Sequence, residues 1–244
     1  MNIVRCGVFA FGCFFIGSVN AGAACTGLEA HTCALPFPSN EFSLVNAATA
    51  TGVELAISDD VLPPDKLALL PDSVRPAAIL NGRDGFSPMG AAMFELTSEA
   101  LADQLAADPQ QWVHAYSVDT GEPIDVVAAR SPIERSSQFS WGPIIEVYPA
   151  SRYPFGERIV IVISTPDNSA IPDDYAAPAR ELSEAAWQLL EQNNIATQSV
   201  VTATEYTIAS AESILGEHER GQTAIADFDY PIEIIRTIYY RRGH

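Results

Sequence analysis

The run Arg158-Ile159-Val160-Ile161-Val162-Ile163 limits the folds open to this chain more than any other segment. β-Branched side chains lose rotamer freedom in a helix and fit a pleated strand. An apolar run without polar alternation suits a strand covered on both faces. Such a strand needs a layer over each face, as in the interior of a β-sandwich.

Other short runs fit the same scheme. Val53-Glu54-Leu55-Ala56-Ile57 alternates at period two, as do Val113-His114-Ala115-Tyr116-Ser117-Val118 and Pro123-Ile124-Asp125-Val126-Val127. Asp119-Thr120-Gly121-Glu122 separates the last two, which predicts a hairpin. Ile144 to Pro149 and Arg158 to Ile163 predict two strands about the turn Ser151-Arg152-Tyr153-Pro154-Phe155-Gly156. Val200, Thr202, Thr204, Tyr206 and Ile208 predict another strand, and 232–240 a last one. Helical spacing is weak at Ala100, Leu101, Leu105 and Ala106. It is strong over 179–192, where Pro178 can occupy the first helical position and Leu182, Ala185, Ala186, Leu189 and Leu190 share a face. A short helix is expected over 211–217.

The first residues carry an export signature: Arg5, an apolar core from Gly7 to Ile16, then small residues ending at Ala21 and Ala23. The apolar run falls short of the roughly 20 residues a spanning helix needs. The expectation is a signal peptide over 1–23 and a protein exported to the periplasm or medium. Gly22 stands where a lipoprotein signal wants a larger apolar residue before Cys25. Cys6 and Cys13 depart with the signal, leaving Cys25 and Cys33 as an even pair in an oxidising compartment. One Cys25–Cys33 disulfide is expected, worth about 2 to 3 kcal/mol in the loop-entropy picture. A metal site at this pair lacks further ligands at a recognisable spacing.

Just beyond lies Cys33-Ala34-Leu35-Pro36-Phe37-Pro38-Ser39-Asn40, a stiff strap that offers Leu35 and Phe37 for burial. Some forty residues later comes Leu80-Asn81-Gly82-Arg83-Asp84-Gly85-Phe86-Ser87. This pairing resembles the N-terminal, Ig-like domain of secreted bacterial lipases of the virulence-factor type and related extracellular proteins. Val118-Asp119-Thr120-Gly121-Glu122-Pro123 is similar to that family's Asp-x-x-Gly-Glu turn. Val147 through Ile163 is similar to its Pro-x-x-x-Leu-x-x-Gly-x-x-Tyr-x-Val stretch. The helix around Trp187 leading into Ala203-Thr204-Glu205-Tyr206-Thr207 is similar to the point where that domain hands over to the next. The resemblance implies an Ig-like antiparallel β-sandwich. Larger members of that family carry an α/β-hydrolase domain after it; here little chain remains after Gly216.

Catalytic patterns read more simply as structure. Gly85-Phe86-Ser87-Pro88-Met89-Gly90 is one residue too long for a nucleophile elbow, and Pro88 removes the N–H an oxyanion hole would use. Asp119-Thr120-Gly121 matches an aspartyl-protease triplet in letters, but that chemistry needs two carboxylates sharing a proton, and a β-turn explains Asp and Gly. His31, His114, His218 and His244 lack the i, i+4 spacing of a helical zinc site. Asp167, Asn168, Asp173 and Asp174 crowd one loop with oxygen ligands without the calcium-loop pattern, so a hydrated loop is expected. Trp112, Trp141 and Trp187 fit core packing better than a ligand groove.

The chain carries 31 acidic against 13 basic residues, a net charge of −18. Such a surface repels nucleic-acid phosphates and anionic lipid headgroups. Together these features predict a signal over 1–23, a mainly β domain with a helical appendage over 24–220, and a strand or tail over 221–244. The expected function is a noncatalytic accessory or interaction module for an unidentified protein or extracellular ligand. No cofactor, nucleic acid or stable membrane insertion is expected. The rival reading is the N-terminal part of a secreted lipase or esterase without its catalytic domain.

Overall fold

The computed structural model describes residues 35–59, 68–69, 71–72, 75–131, 142–172, 175, 177 and 179–215. The expected signal, Cys25, Cys33 and the strand at 232–240 lie outside them.

The described residues are mainly β. Strands β1 (Ser43–Val45) and β2 (Val53–Leu55) form a small antiparallel ribbon. A three-stranded antiparallel sheet has β6 (Ile144–Pro149) between β3 (Ala92–Glu95) and β5 (Val126–Arg130). A second has β7 (Arg158–Ser164) between β4 (Val113–Ser117) and β8 (Val200–Thr207). The helices are α1 (Pro76–Leu80), α2 (Glu99–Ala107), α3 (Pro109–Trp112) and α4 (Glu184–Gln192), with residues 211–215 also helical.

The apolar run sits where its composition demands, at the centre of the second sheet. Ile159, Ile161 and Ile163 point into a core shared with Phe94, Ile145, Val147 and Ala128 of the first sheet. Val160 and Val162, one step out of phase, point the other way and are covered by Leu182, Ala186, Leu189 and Leu190. The two layers that the unbroken run required are therefore the facing sheet and α4.

The predicted hairpin splits. The turn at Asp119–Gly121 forms, with the Gly121 N–H donating to the Ser117 carbonyl at 2.9 Å and Gly121 at φ +78°. Only one bridge, Tyr116 to Pro123, follows it before β4 joins β7 and β5 joins β6. β6 and β7 likewise flank a turn but enter different sheets. Both runs have apolar sides for the shared core, and crossing between sheets lets each bury its own.

The helix expected over 179–192 begins later, at Glu184. Ser183 caps it, its Oγ accepting the Ala186 N–H at 3.2 Å. Upstream donors are already engaged: the Arg180 N–H reaches the Ala203 carbonyl at 3.0 Å, and the Ser183 N–H reaches Glu205 at 2.7 Å. Residues 179–183 thus lie along β8, and Leu182 is buried there from outside the helix.

The strap also differs in detail. Leu35-Pro36 and Phe37-Pro38 are both cis, and Pro36 and Pro38 are buried while Leu35 and Phe37 are half-buried. Phe37 extends the first sheet by exchanging backbone hydrogen bonds with Met93 at 3.1 and 2.7 Å beside β3. Phe86 extends the second sheet by a parallel bridge to Ile208, its N–H donating to the Thr207 carbonyl and its carbonyl accepting from the Ala209 N–H at the end of β8. Gly85 lies so close to this edge that a Cβ would fall 2.6 Å from the Ala209 nitrogen, at φ +154°. Only glycine fits there.

Candidate functional site: an open seam between the sheets

Each three-stranded sheet has two edges, so their shared core has two seams. One lies between the β3 and β8 edges, where the Phe37 and Phe86 rings meet edge to face at 5.5 Å. Phe86 continues to Tyr206 at 5.8 Å, and Tyr206 to Tyr153 at 6.1 Å, both edge-on. Polar anchors tie the same seam. Asn40 Oδ1 accepts the Thr207 N–H at 2.9 Å, and Asp84 Oδ1 accepts the Ser210 N–H at 3.1 Å. A residual apolar pocket of about 110 Å³ remains beside Phe37, Leu55, Leu80 and Phe86.

Among the described residues the opposite seam, between β4 and β5, is open. The ladder that begins at the Asp119 turn ends where the Ile124 N–H donates to the Ala115 carbonyl at 2.8 Å. Beyond it the strands diverge into their separate sheets. Between them lies a cleft of about 550 Å³, walled by β4, β5 and the Pro109 and Gln110 end of α3. His114 and Asp125 line it. Burial holds the His114 imidazole below its ordinary value, which keeps the ring neutral at physiological pH. Burial also raises the Tyr116 hydroxyl above its ordinary value.

Backbone geometry gives the cleft its polar character. The Ala150 N–H donates to Asp125 and the Ser131 N–H to Ile144, so Asp125, Val127, Ala129 and Ser131 direct their backbone groups toward β6. Val126 and Ala128, out of phase with these, direct theirs away from β6. By the same alternation Val113 directs its carbonyl away from β7. The seam is therefore a strand edge beside a cleft.

The residues with catalytic-looking spacing lie elsewhere and are held as structure. Ser87 is an exposed turn residue whose Oγ accepts the Met89 N–H at 3.3 Å and whose carbonyl accepts the Gly90 N–H at 3.2 Å. Asp119 is clamped by Arg158, accepting from its backbone N–H at 2.8 Å, Nε at 2.9 Å and Nη2 at 2.7 Å. Asn168 Oδ1 accepts from the Ala196 N–H and Ser199 Oγ, while its Nδ2 donates to the Asn194 carbonyl. These bonds join the loop after β7 to the connection leading into β8. Asp167 accepts from Ser169, which holds its carboxyl below the ordinary value. Asp173 and Asp174 lie outside the described residues, as do His31, His218, His244 and Trp141. Trp112 is buried in the main core, and Trp187 packs half-buried against the second cluster.

Among the described residues, no group of three or more His, Cys, Asp or Glu side chains could hold a metal ion. No helix among them is long and apolar enough to cross a membrane.

No protein-family model, curated protein or solved structure matches the chain.

Two features are absent from the sequence reading. Glu205 is buried within β8, where its carboxylate accepts from the Ser183 N–H and Oγ at 2.7 and 3.0 Å and lies 3.6 Å from Arg158. A buried carboxylate demands such donors, but only its place in an otherwise uncharged strand hinted at them. The open edge is made of backbone groups, which have no signature in residue type.

Proposed function

We propose that this chain is an exported, noncatalytic interaction module: an Ig-like antiparallel β-sandwich with a helical appendage, similar to the N-terminal domain of virulence-factor-type secreted lipases. The two motifs that carry the resemblance pack together through Phe37 and Phe86, and two antiparallel sheets share one core. The open cleft between β4 and β5 is the observation that carries the interaction reading. Its walls combine apolar side chains, strand edges and a neutral imidazole, which suits holding a polypeptide or extracellular ligand. The acidic surface disfavours nucleic acid as that partner.

The reading is tested by turnover of short- and long-chain nitrophenyl esters, and of casein at acid pH, by purified wild type, Ser87→Ala and Asp119→Asn. No turnover by any of the three is expected. Activity lost on either substitution while the variant stays folded overturns the noncatalytic reading.

A further inference from the structure

The cleft has a chemical selectivity that side chains alone do not show. Val126 and Ala128 turn backbone donors and acceptors to the side of β5 away from β6, where no strand pairs with them among the described residues, and the Val113 carbonyl looks into the same wedge from β4. Groups at that alternation match one ligand class, an extended polypeptide backbone. The far end of β5 packs against α2, where Arg130 is salt-bridged to Glu99 and to Asp103. The open stretch is thus the part nearest the cleft.

Charge narrows the occupant. Asp125 lines the cleft, Glu122 precedes its lining residue Pro123, and Asp108 precedes its lining residue Pro109. All three are exposed, and none makes a salt bridge among the described residues. His114 adds no opposing positive charge at physiological pH. A partner with Lys or Arg on alternate positions places cations beside these carboxylates, whereas an acidic one is repelled.

We infer that the β5 edge accepts an extended, basic peptide segment of another protein as an added strand. This rests on the interaction-module reading and specifies its partner. Apolar residues of the segment face the wall formed by Val113 and Ala115, and its basic residues face Asp125 and the rim.

The test is an NMR titration of the full chain with an alternating Lys/Val heptapeptide. The comparators are its Glu/Val counterpart and the Lys/Val sequence with every interior amide N-methylated. Saturable binding of Lys/Val is expected, with the largest amide shifts at Val126 and Ala128. The Glu/Val peptide should bind at least about tenfold more weakly, and N-methylation should abolish binding. Val126→Pro should also abolish it, since that N–H is not used in the ladder to β6 and its loss blocks only the edge. If Val126→Pro does not fold, the methylated peptide still decides the matter.

Equal binding of methylated and unmethylated peptides, tighter binding of Glu/Val, or no saturable binding overturns the inference. So does self-association of the free protein through the same amides, which makes a second copy the occupant. Ester or casein turnover bears on the noncatalytic reading alone. Failed titration without turnover removes strand addition and leaves that reading standing.

Discussion

The rings of Phe37 and Phe86 meet edge to face, 5.5 Å between centroids and 87° between planes. One ring belongs to a segment that extends the β3 edge and the other to a segment that extends the β8 edge. The contact therefore closes one seam between the sheets, while the seam between β4 and β5 stays open. Edge-to-face packing adds to what area burial supplies, because the positive rim of one ring meets the negative face of the other.

Phe86→Ala should cost about 3 to 5 kcal/mol, the range for truncating a buried aromatic. Half-buried Phe37→Ala should cost less, and the double variant should show about 0.5 to 1.5 kcal/mol of coupling between the two rings. Urea unfolding of the four proteins measures this. Strict additivity would mean that the two rings do not act together.

Gly85→Ala should destabilise by roughly 2 kcal/mol or more, since the new methyl meets backbone rather than a movable side chain. Gly52, at φ +78° with nothing within 4 Å of its would-be Cβ, is the control. Gly52→Ala should cost about 1 kcal/mol from conformation alone. Equal losses at the two sites would remove the close approach as the cause.

On α4, Leu189→Ala should cost about 2 to 5 kcal/mol, as a truncation inside the second cluster. Exposed Gln188→Ala should cost less than about 0.5 kcal/mol. Thermal or urea denaturation distinguishes them, and equal effects would mean that the helix is not docked by that face.

Alkaline pH should weaken the fold through Tyr153 and Tyr206. Burial pushes the Tyr153 hydroxyl up to about 12 and the Tyr206 hydroxyl well above its ordinary value of 10.0. The folded state then holds protons that the unfolded chain has released. For Tyr153 this stability is fully present below pH 10 and is lost as pH rises through the 10–12 window, by up to about 1.4 kcal/mol per pH unit, and Tyr206 acts in the same direction. Tyr153→Phe should flatten that decline. Neither hydroxyl has a partner in good hydrogen-bond geometry among the described residues, so the substitution should change stability little at neutral pH. An unchanged alkaline limb in the variant would contradict the assignment to Tyr153.

Particular residues show how far the sequence could be read. Ile159 to Ile163 announced an interior strand because burial on both faces leaves no polar alternation. The strap and the Gly85-Phe86 turn were legible because proline and glycine mark backbone constraints directly. The start of α4 was not, because apolar spacing runs back to Leu182, while the deciding donors bond to Ala203 and Glu205 on a distant strand. Nor did alternation in 113–118 and 123–127 say that the strands part after one bridge, since period two records a buried face and not the sheet that owns it. The cleft follows from that parting.

The most direct measurement is amide hydrogen exchange along β5 in the free protein. The account predicts alternation: slow exchange at Val127 and Ala129, whose N–H groups bond to β6, and fast exchange at Val126 and Ala128, whose N–H groups face the cleft. Uniform protection across the four residues would contradict it, because the β5 edge that strand addition needs would then already be paired.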